Sequence, residues 1–193
     1  MGLTKTLRSG PEARESGRYL SIDSSSQSIA YAVFDKKTSS TKLFAAGKIN
    51  LPSHMRDKLA AINKIIDIIF NKYKNIDCVI IEQTIYIQSP QTSRILSYVV
   101  GHIWGKCLEH CPDVRDVEVM KWKSHIGYKK VSKAEKEAWE NLHGPVEAKK
   151  IAAKERKERT GKIIKNKISN INDINDYDII DAIAIGLWSI DNV

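Results

Sequence analysis

Two aspartates near the end of the chain give the clearest chemical signal in the sequence. Asp178 and Asp181 lie in the segment 175–188, which from Ile179 onward is apolar on nearly every side and is therefore expected to form a buried helix. Their spacing puts both carboxylates on one face of that helix. A buried carboxylate without a partner costs several kcal/mol or takes up a proton. The pair therefore indicates a divalent metal ion, and a purely structural acid pair is the alternative.

Two further acids stand where buried strands are expected to end. Asp23 closes a short strand near the start of the chain, and Glu82 closes the apolar run 77–82. Catalytic and ligand-binding groups collect at the carboxyl ends of strands in open α/β sheets. A single strand-end acid is commonly without function, but two of them together with Asp178 and Asp181 predict a metal site built from four carboxylates.

Hydrophobic periodicity predicts the elements that must position these acids. The expected elements are strands at 19–23, 29–35 and 41–50, a helix from about 53 to 70, a strand at 77–82, a helix at 92–110, a strand at 114–119 and a helix at 176–190 that Asp176 caps. Because short turns join the first three strands, these must be antiparallel neighbours. The order predicts an α/β fold with a mixed sheet, three antiparallel strands followed by parallel ones, and helices on both faces.

Length and composition fit one folded domain. The chain has 193 residues, of which 42% are hydrophobic and 28% charged. Residues 1–17 show no apolar periodicity and are expected to be a disordered leader before a domain at 18–193. No apolar run approaches the roughly 18 residues of a membrane span, and no signal peptide is found. With three cysteines and no disulfide framework, we expect a protein of a reducing intracellular compartment that holds DNA, not a secreted one.

Positive charge is concentrated in the segment 121–167, which carries 15 Lys or Arg against six Asp or Glu. The chain as a whole has a net charge of +8, so the remainder is at −1. A basic surface beside a carboxylate cluster suggests a polyanion held near a metal site, whereas a solvated charged helix is the alternative. The candidate DNA-binding lysines are Lys121, Lys129, Lys130, Lys136, Lys149, Lys150, Lys154 and Lys157.

The acidic motifs resemble those of the RuvC-type Holliday junction resolvases of the RNase H-like superfamily, including a phage or viral type. Residues 22–31 resemble the first motif, the sequence Ile80-Ile81-Glu82-Gln83 resembles the second, and residues 178–185 have the D-x-x-D-A-x-A spacing of the third. The likeness runs from about Tyr19 to Trp188. A segment at about 129–173 is longer than in typical members and reads as a basic helical insertion.

The resemblance implies an RNase H-like sheet and a structure-selective endonuclease for four-way junctions and other branched DNA, acting in recombination and repair. It implies two Mg²⁺ ions per active site, with Mn²⁺ able to substitute, and usually a homodimer. The catalytic residues and metal ligands it implies are Asp23, Glu82, Asp178 and Asp181. It also implies that Lys123 or Lys133 neutralises charge on the scissile phosphate.

One departure from the resemblance concerns the loop after Glu82. Members place an aromatic residue three positions after the glutamate, where this chain has Ile85, with Tyr86 next to it. We expect Tyr86 either to stack on an unpaired base at the branch point or to pack against the helix that follows.

Three other interpretations stay open at this point. An RNase H-like nuclease could act on structured RNA or an RNA–DNA hybrid, and a non-catalytic protein could bind branched DNA with the acids merely structural. Cys107, His110 and Cys111 could suggest zinc, but their spacing matches no closed zinc module.

Overall fold

The computed structural model describes residues 16–83, 89–168, 171 and 173–193. In chain order the elements are β1 (Gly17–Ser24), β2 (Ser28–Lys37), β3 (Ser40–Asn50), α1 (Met55–Lys72), β4 (Cys78–Glu82), α2 (Pro90–Leu108), β5 (Val114–Val117), α3 (Val119–His125), α4 (Lys133–Lys167) and α5 (Tyr177–Asn192). None of the helices in these ranges is both long and apolar enough to cross a membrane.

The strands form one mixed sheet in the order β3-β2-β1-β4-β5. The first three strands are antiparallel neighbours because turns of a few residues join them. Helices α1 and α2 carry the chain back along the sheet, so β4 runs parallel to β1 and β5 runs parallel to β4. The predicted fold class is confirmed.

The two faces of the sheet bury separate apolar clusters. Alternation along β1 directs Leu20 and Ile22 toward α1 and α2, and directs Tyr19 toward α5. Helix α5 lies close on its face because position 186 is a glycine, where a Cβ atom would fall 2.2 Å from the Phe34 ring. The Ser21 hydroxyl also donates to the Ala182 carbonyl at 2.7 Å. These contacts fix the acids of α5 relative to β1.

Two element boundaries differ from the sequence expectation. Strand β1 begins at Gly17, two residues early, because the Arg18 guanidinium pairs with Asp35 at 2.5 Å and the Arg18 backbone N–H donates to Asp77 at 2.8 Å. Helix α1 begins at Met55, with His54 as an N-cap that makes no side-chain hydrogen bond. Nearly all of the expected leader lies outside the described residues.

Helix α4 is a hairpin of two helical arms, 133–143 and 145–167. The arms meet at Gly144, whose φ of 77° lies in the left-handed region, and Pro145 cannot donate a helical hydrogen bond. The Arg159 guanidinium pairs with Glu155 at 2.8 Å on its own arm and with Glu135 on the first arm. A straight helix would separate positions 135 and 159 by about 36 Å, so this ion pair shows that the arms fold back on each other.

Candidate active site

One row of residues across the sheet positions the strand acids. Asp23 on β1 pairs with Ala30 on β2, and Ala30 pairs with Lys48 on β3. The parallel register of β1 and β4 brings Asp23 and Glu82 side by side where these strands end. Since residues paired laterally point to the same face, Lys48, Ala30, Asp23 and Glu82 all face α5.

Helix α5 brings the other two carboxylates over this row. Asp178 and Asp181 lie in its first turns, both partly buried. The Asp176 carboxylate accepts from the backbone N–H of Asp178 at 2.9 Å and of Ile179 at 3.4 Å, which confirms the predicted N-cap. The helix therefore begins at a fixed point above β1.

The carboxyl groups are crowded and hold their protons more tightly than usual. Burial raises the pKa of Asp23 well above its ordinary value, and the charges of Glu82, Asp181 and Asp178 raise it further. Burial, followed by the charge of Asp181, raises the pKa of Glu82 to about 7. Burial is also the main cause that raises the pKa of Asp181 to about 6. Such mutual repulsion is relieved when a cation binds.

Three of these acids are also close to the Lys123 ammonium. Its charge lowers the pKa of Asp23, Glu82 and Asp181, and so opposes the rise that burial causes. The ammonium lies 5.0 Å from the centroid of the Trp122 ring and 5.6 Å from that of the Tyr128 ring. Lys123 is therefore a cation at the edge of the carboxylate cluster.

Two other side chains hold individual carboxylates in place. The Lys48 ammonium contacts Asp178 at 2.6 Å and Asp176 at 3.1 Å. The Trp122 indole N–H donates to Glu82 at 3.0 Å, and its ring is fully buried. With Asp178 drawn to Lys48, no three acidic, histidine or cysteine side chains among the described residues are close enough to enclose a metal ion.

The donor set nevertheless fits a divalent cation. Four carboxylates supply the hard oxygen ligands that Mg²⁺ takes in proteins, and three of them are protonated more readily because they are buried together. Occupation would require Asp178 to exchange or share its contact with Lys48.

The remaining predicted site residues divide by location. Lys133 lies apart, with a side chain that is 92% exposed and an ammonium that pairs with Glu137 at 3.5 Å. Lys121 is exposed on α3 and pairs with Glu118 at 3.0 Å. Exposed positions on the segment before α4 and on its two arms hold Lys129, Lys130, Lys136, Lys149, Lys150, Lys154 and Lys157. Tyr86 lies outside the described residues.

Three residues near the acids were not singled out for that place by the sequence. Lys48 and Trp122 hold carboxylates, and Lys157 lowers the pKa of Asp181 while its ammonium lies 5.6 Å from the Tyr177 ring centroid. A lysine on an outer strand carries no local signal of this role, because its partner becomes evident only from strand register. The alternative of zinc gains no support, because the cysteines are buried free thiols and His110 pairs with Asp67 at 2.7 Å.

Comparison with known proteins supports the motif analysis. No protein-family model matches the chain. It is 25% identical over 177 residues to the crossover junction endodeoxyribonuclease RuvC of Campylobacter curvus (strain 525.92), covering 91% of this chain and 98% of that protein.

Two solved structures share the fold over most of their length. RuvC of Thermus thermophilus in complex with a Holliday junction substrate has a TM-score of 0.65 at 11% identity, covering 89% of this chain and 91% of that one. Fowlpox virus resolvase in complex with substrate Holliday junction DNA has a TM-score of 0.51 at 20% identity, covering 88% and 94%. The fold is RNase H-like, and the similarity to RuvC-type Holliday junction resolvases that the acidic motifs indicated is confirmed.

Proposed function

We propose that this protein is a metal-dependent endonuclease that cleaves four-way junctions and other branched DNA. The observation that carries the proposal is the row of strand acids, Asp23 and Glu82, facing Asp178 and Asp181 on α5 in a partly buried cluster. A sequence relative that matches over nearly its whole length is a crossover junction endodeoxyribonuclease, which supports the same reaction class.

The four carboxylates would hold two Mg²⁺ ions, which Mn²⁺ could replace. When bound, such ions lower the pKa of water and neutralise charge on the phosphate and the leaving oxygen. Asp23 has neighbours on both sides, since Glu82 lies beside it and the acids of α5 lie above it, so it is the natural shared ligand. Hydrolysis by in-line attack of water on phosphorus leaves a 5′-phosphate and a 3′-hydroxyl.

The surrounding residues orient this cluster and complete its charge. Lys123 faces the acids and would neutralise charge on the scissile phosphate, a role that the location of Lys133 does not favour. Trp122 orients Glu82 through its N–H and keeps water from one side of the site. The basic hairpin α4, within the insertion at about 129–173, would hold a DNA arm through its exposed lysines.

A second copy of the chain would complete the enzyme as a homodimer. One side of α2 is exposed at Tyr98, Gly101, Gly105 and Leu108, and a Cβ atom at either glycine would meet nothing within 4 Å. Glycines one turn apart let another helix approach closely. Two sites related by a twofold axis would nick strands of like polarity in a four-way junction.

A panel of substrates separates this proposal from its alternatives. Purified protein is incubated with a labelled four-way junction, a linear duplex, a structured RNA and an RNA–DNA hybrid, each with Mg²⁺ or with Ca²⁺. We expect cleavage of the junction with Mg²⁺ only. Preferred cleavage of RNA or hybrid would replace the substrate assignment, and junction binding without cleavage in Mg²⁺ would indicate a non-catalytic binding protein.

A further inference from the structure

A cavity of about 710 Å³ lies beside the candidate active site, between α3, the loop 126–132 and the two arms of α4. Its size is within the range of small-molecule and cofactor sites. The wall on the side of α3 and the loop is largely apolar, with Met120, Tyr128 and Val131 among its residues.

The charged lining is strongly asymmetric. Five cations line the cavity, namely Lys123, Lys130, Lys136, Lys149 and Arg156. The one carboxylate among the lining residues is Glu140, which makes no hydrogen bond or ion pair with any residue that the structure describes. An apolar wall, several cations and a free acceptor together match a ligand with a flat ring, a phosphate and a hydrogen-bond donor.

The bend of α4 creates this arrangement. Lys136 and Glu140 come from the first arm, whereas Lys149 and Arg156 come from the second. In a straight helix, positions 136 and 156 would be about 30 Å apart. The ion pair of Arg159 with Glu135 closes the arms on each other and so holds both groups around one space.

The cavity is continuous with the carboxylate cluster through Lys123. This lysine lines the cavity, and its charge also acts on Asp23, Glu82 and Asp181. A ligand in the cavity would therefore lie next to the phosphate that Lys123 contacts.

We propose that the cavity receives one unpaired nucleotide of the substrate strand, next to the cleaved phosphate, and that Glu140 reads an amino group on its base. The inference rests on the proposed nuclease function and adds a sequence preference to it. The base stacks on the apolar wall while the lysines and Arg156 bind its phosphates.

The chemistry of Glu140 decides which bases are accepted. An ionised carboxylate only accepts hydrogen bonds, and it pairs with the exocyclic amino groups that adenine, cytosine and guanine carry. Thymine offers one ring N–H between two carbonyl oxygens, and these oxygens repel a carboxylate. We therefore expect thymine to be disfavoured at one position near the cut.

The test is cleavage of a four-way junction library in which the nucleotides around the branch point are randomised, followed by sequencing of the products. For the wild type we expect thymine to be depleted at one position by about fivefold or more, the ratio that corresponds to about 1 kcal/mol. Glu140→Gln should abolish that depletion, because an amide can also donate to thymine oxygens. The matched control is Glu137→Gln, which makes the same charge change on the same arm outside the cavity and should keep the preference.

A second pair of variants tests the phosphate contacts. Lys149 lines the cavity, whereas Lys150 does not and pairs with Glu147 at 3.0 Å. Junction binding in Ca²⁺ should weaken more in Lys149→Gln than in Lys150→Gln, although both remove one charge.

The outcomes are distinct from those of the proposed function. Equal use of all four bases by an active wild type overturns the nucleotide site while the nuclease stands. A thymine depletion that survives in Glu140→Gln overturns the role of Glu140, and equal losses in the two lysine variants overturn the phosphate contacts. A wild type that cuts no junction refutes the proposed function itself.

Discussion

The crowding of Glu82 leads to a quantitative prediction about stability without metal. Its pKa rises from 4.5 to about 7 in the folded protein. At about 1.36 kcal/mol per pKa unit, this shift means that ionised Glu82 lowers the free energy of unfolding by at most about 3 kcal/mol. Because the folded state keeps its proton to higher pH than the unfolded state, the penalty begins above pH 4.5 and is fully present above about pH 7.

The variant Glu82→Gln isolates this penalty. The amide cannot ionise, yet it keeps an oxygen that can accept from the Trp122 indole N–H. We therefore expect the metal-free variant to be more stable than the wild type at pH 8, by up to about 3 kcal/mol, and close to the wild type near pH 4. Glu137→Gln, on the exposed arm of α4, serves as the control and should shift stability little at either pH.

Urea denaturation in the presence of a chelator, followed by tryptophan fluorescence from pH 4 to pH 8, measures the difference. Added Mg²⁺ should stabilise the wild type more than the variant, because the ion relieves repulsion that the variant has already lost. A variant that is no more stable than the wild type at pH 8 would contradict the crowding of the acids. An equal gain of both proteins with Mg²⁺ would contradict the assignment of Glu82 as a ligand.

Three further predictions concern the cations and the loop after Glu82. Lys48→Met should lower metal-free stability and enlarge the rise in Tm that Mg²⁺ produces, since the metal takes over the neutralisation of Asp178; an unchanged rise would show that Lys48 does not act on the site. Tyr86→Ala should lose junction cleavage without losing the fold if Tyr86 stacks on DNA, and should melt early if it packs on α2; a stable variant that cuts junctions normally refutes both. Junction affinity should depend less steeply on salt, with the slope of log affinity against log salt reduced by roughly 0.9 per lost contact, when Gln replaces Lys149, Lys150, Lys154 and Lys157; an unchanged slope would mean that these lysines are only solvated.

Several features of the fold were predictable because local signals determine them. The short turns after β1 and β2 require antiparallel neighbours, and the apolar run that ends at Glu82 is typical of a strand buried on both faces. Asp176 caps α5 as its side-chain chemistry predicts. The meeting of Asp23 and Glu82 followed from parallel pairing of the two strands that they end.

The position of Lys48 could not be predicted because a bulge intervenes. Counting back from the turn between β2 and β3 would place Gly47 opposite Ala30 and direct Lys48 to the other face of the sheet. The register shifts between Val33 and Phe34, so Lys48 comes to lie opposite Ala30 and beneath α5. No residue in the sequence marks that shift.

The choice between Lys123 and Lys133 also needed tertiary structure. Both lysines follow β5 in a basic segment, and spacing alone allowed either one. Helix α3 begins directly after β5, the strand next to β4, and it buries Trp122 against Glu82, which brings the following lysine to the acids. Similarly, Gly144 and Pro145 in the sequence indicate a bend, but only the pairing of Arg159 with Glu135 across the arms determines its direction.

The central claim is that the carboxylate cluster cleaves branched DNA with bound metal, and one measurement tests it most directly. Wild type and Asp23→Asn are each titrated against a labelled four-way junction in Ca²⁺ and then transferred to Mg²⁺. We predict that both bind the junction with similar affinity, that the wild type cuts it in Mg²⁺ but leaves a linear duplex intact, and that Asp23→Asn cuts neither. Cleavage by Asp23→Asn at the wild-type rate would contradict the account.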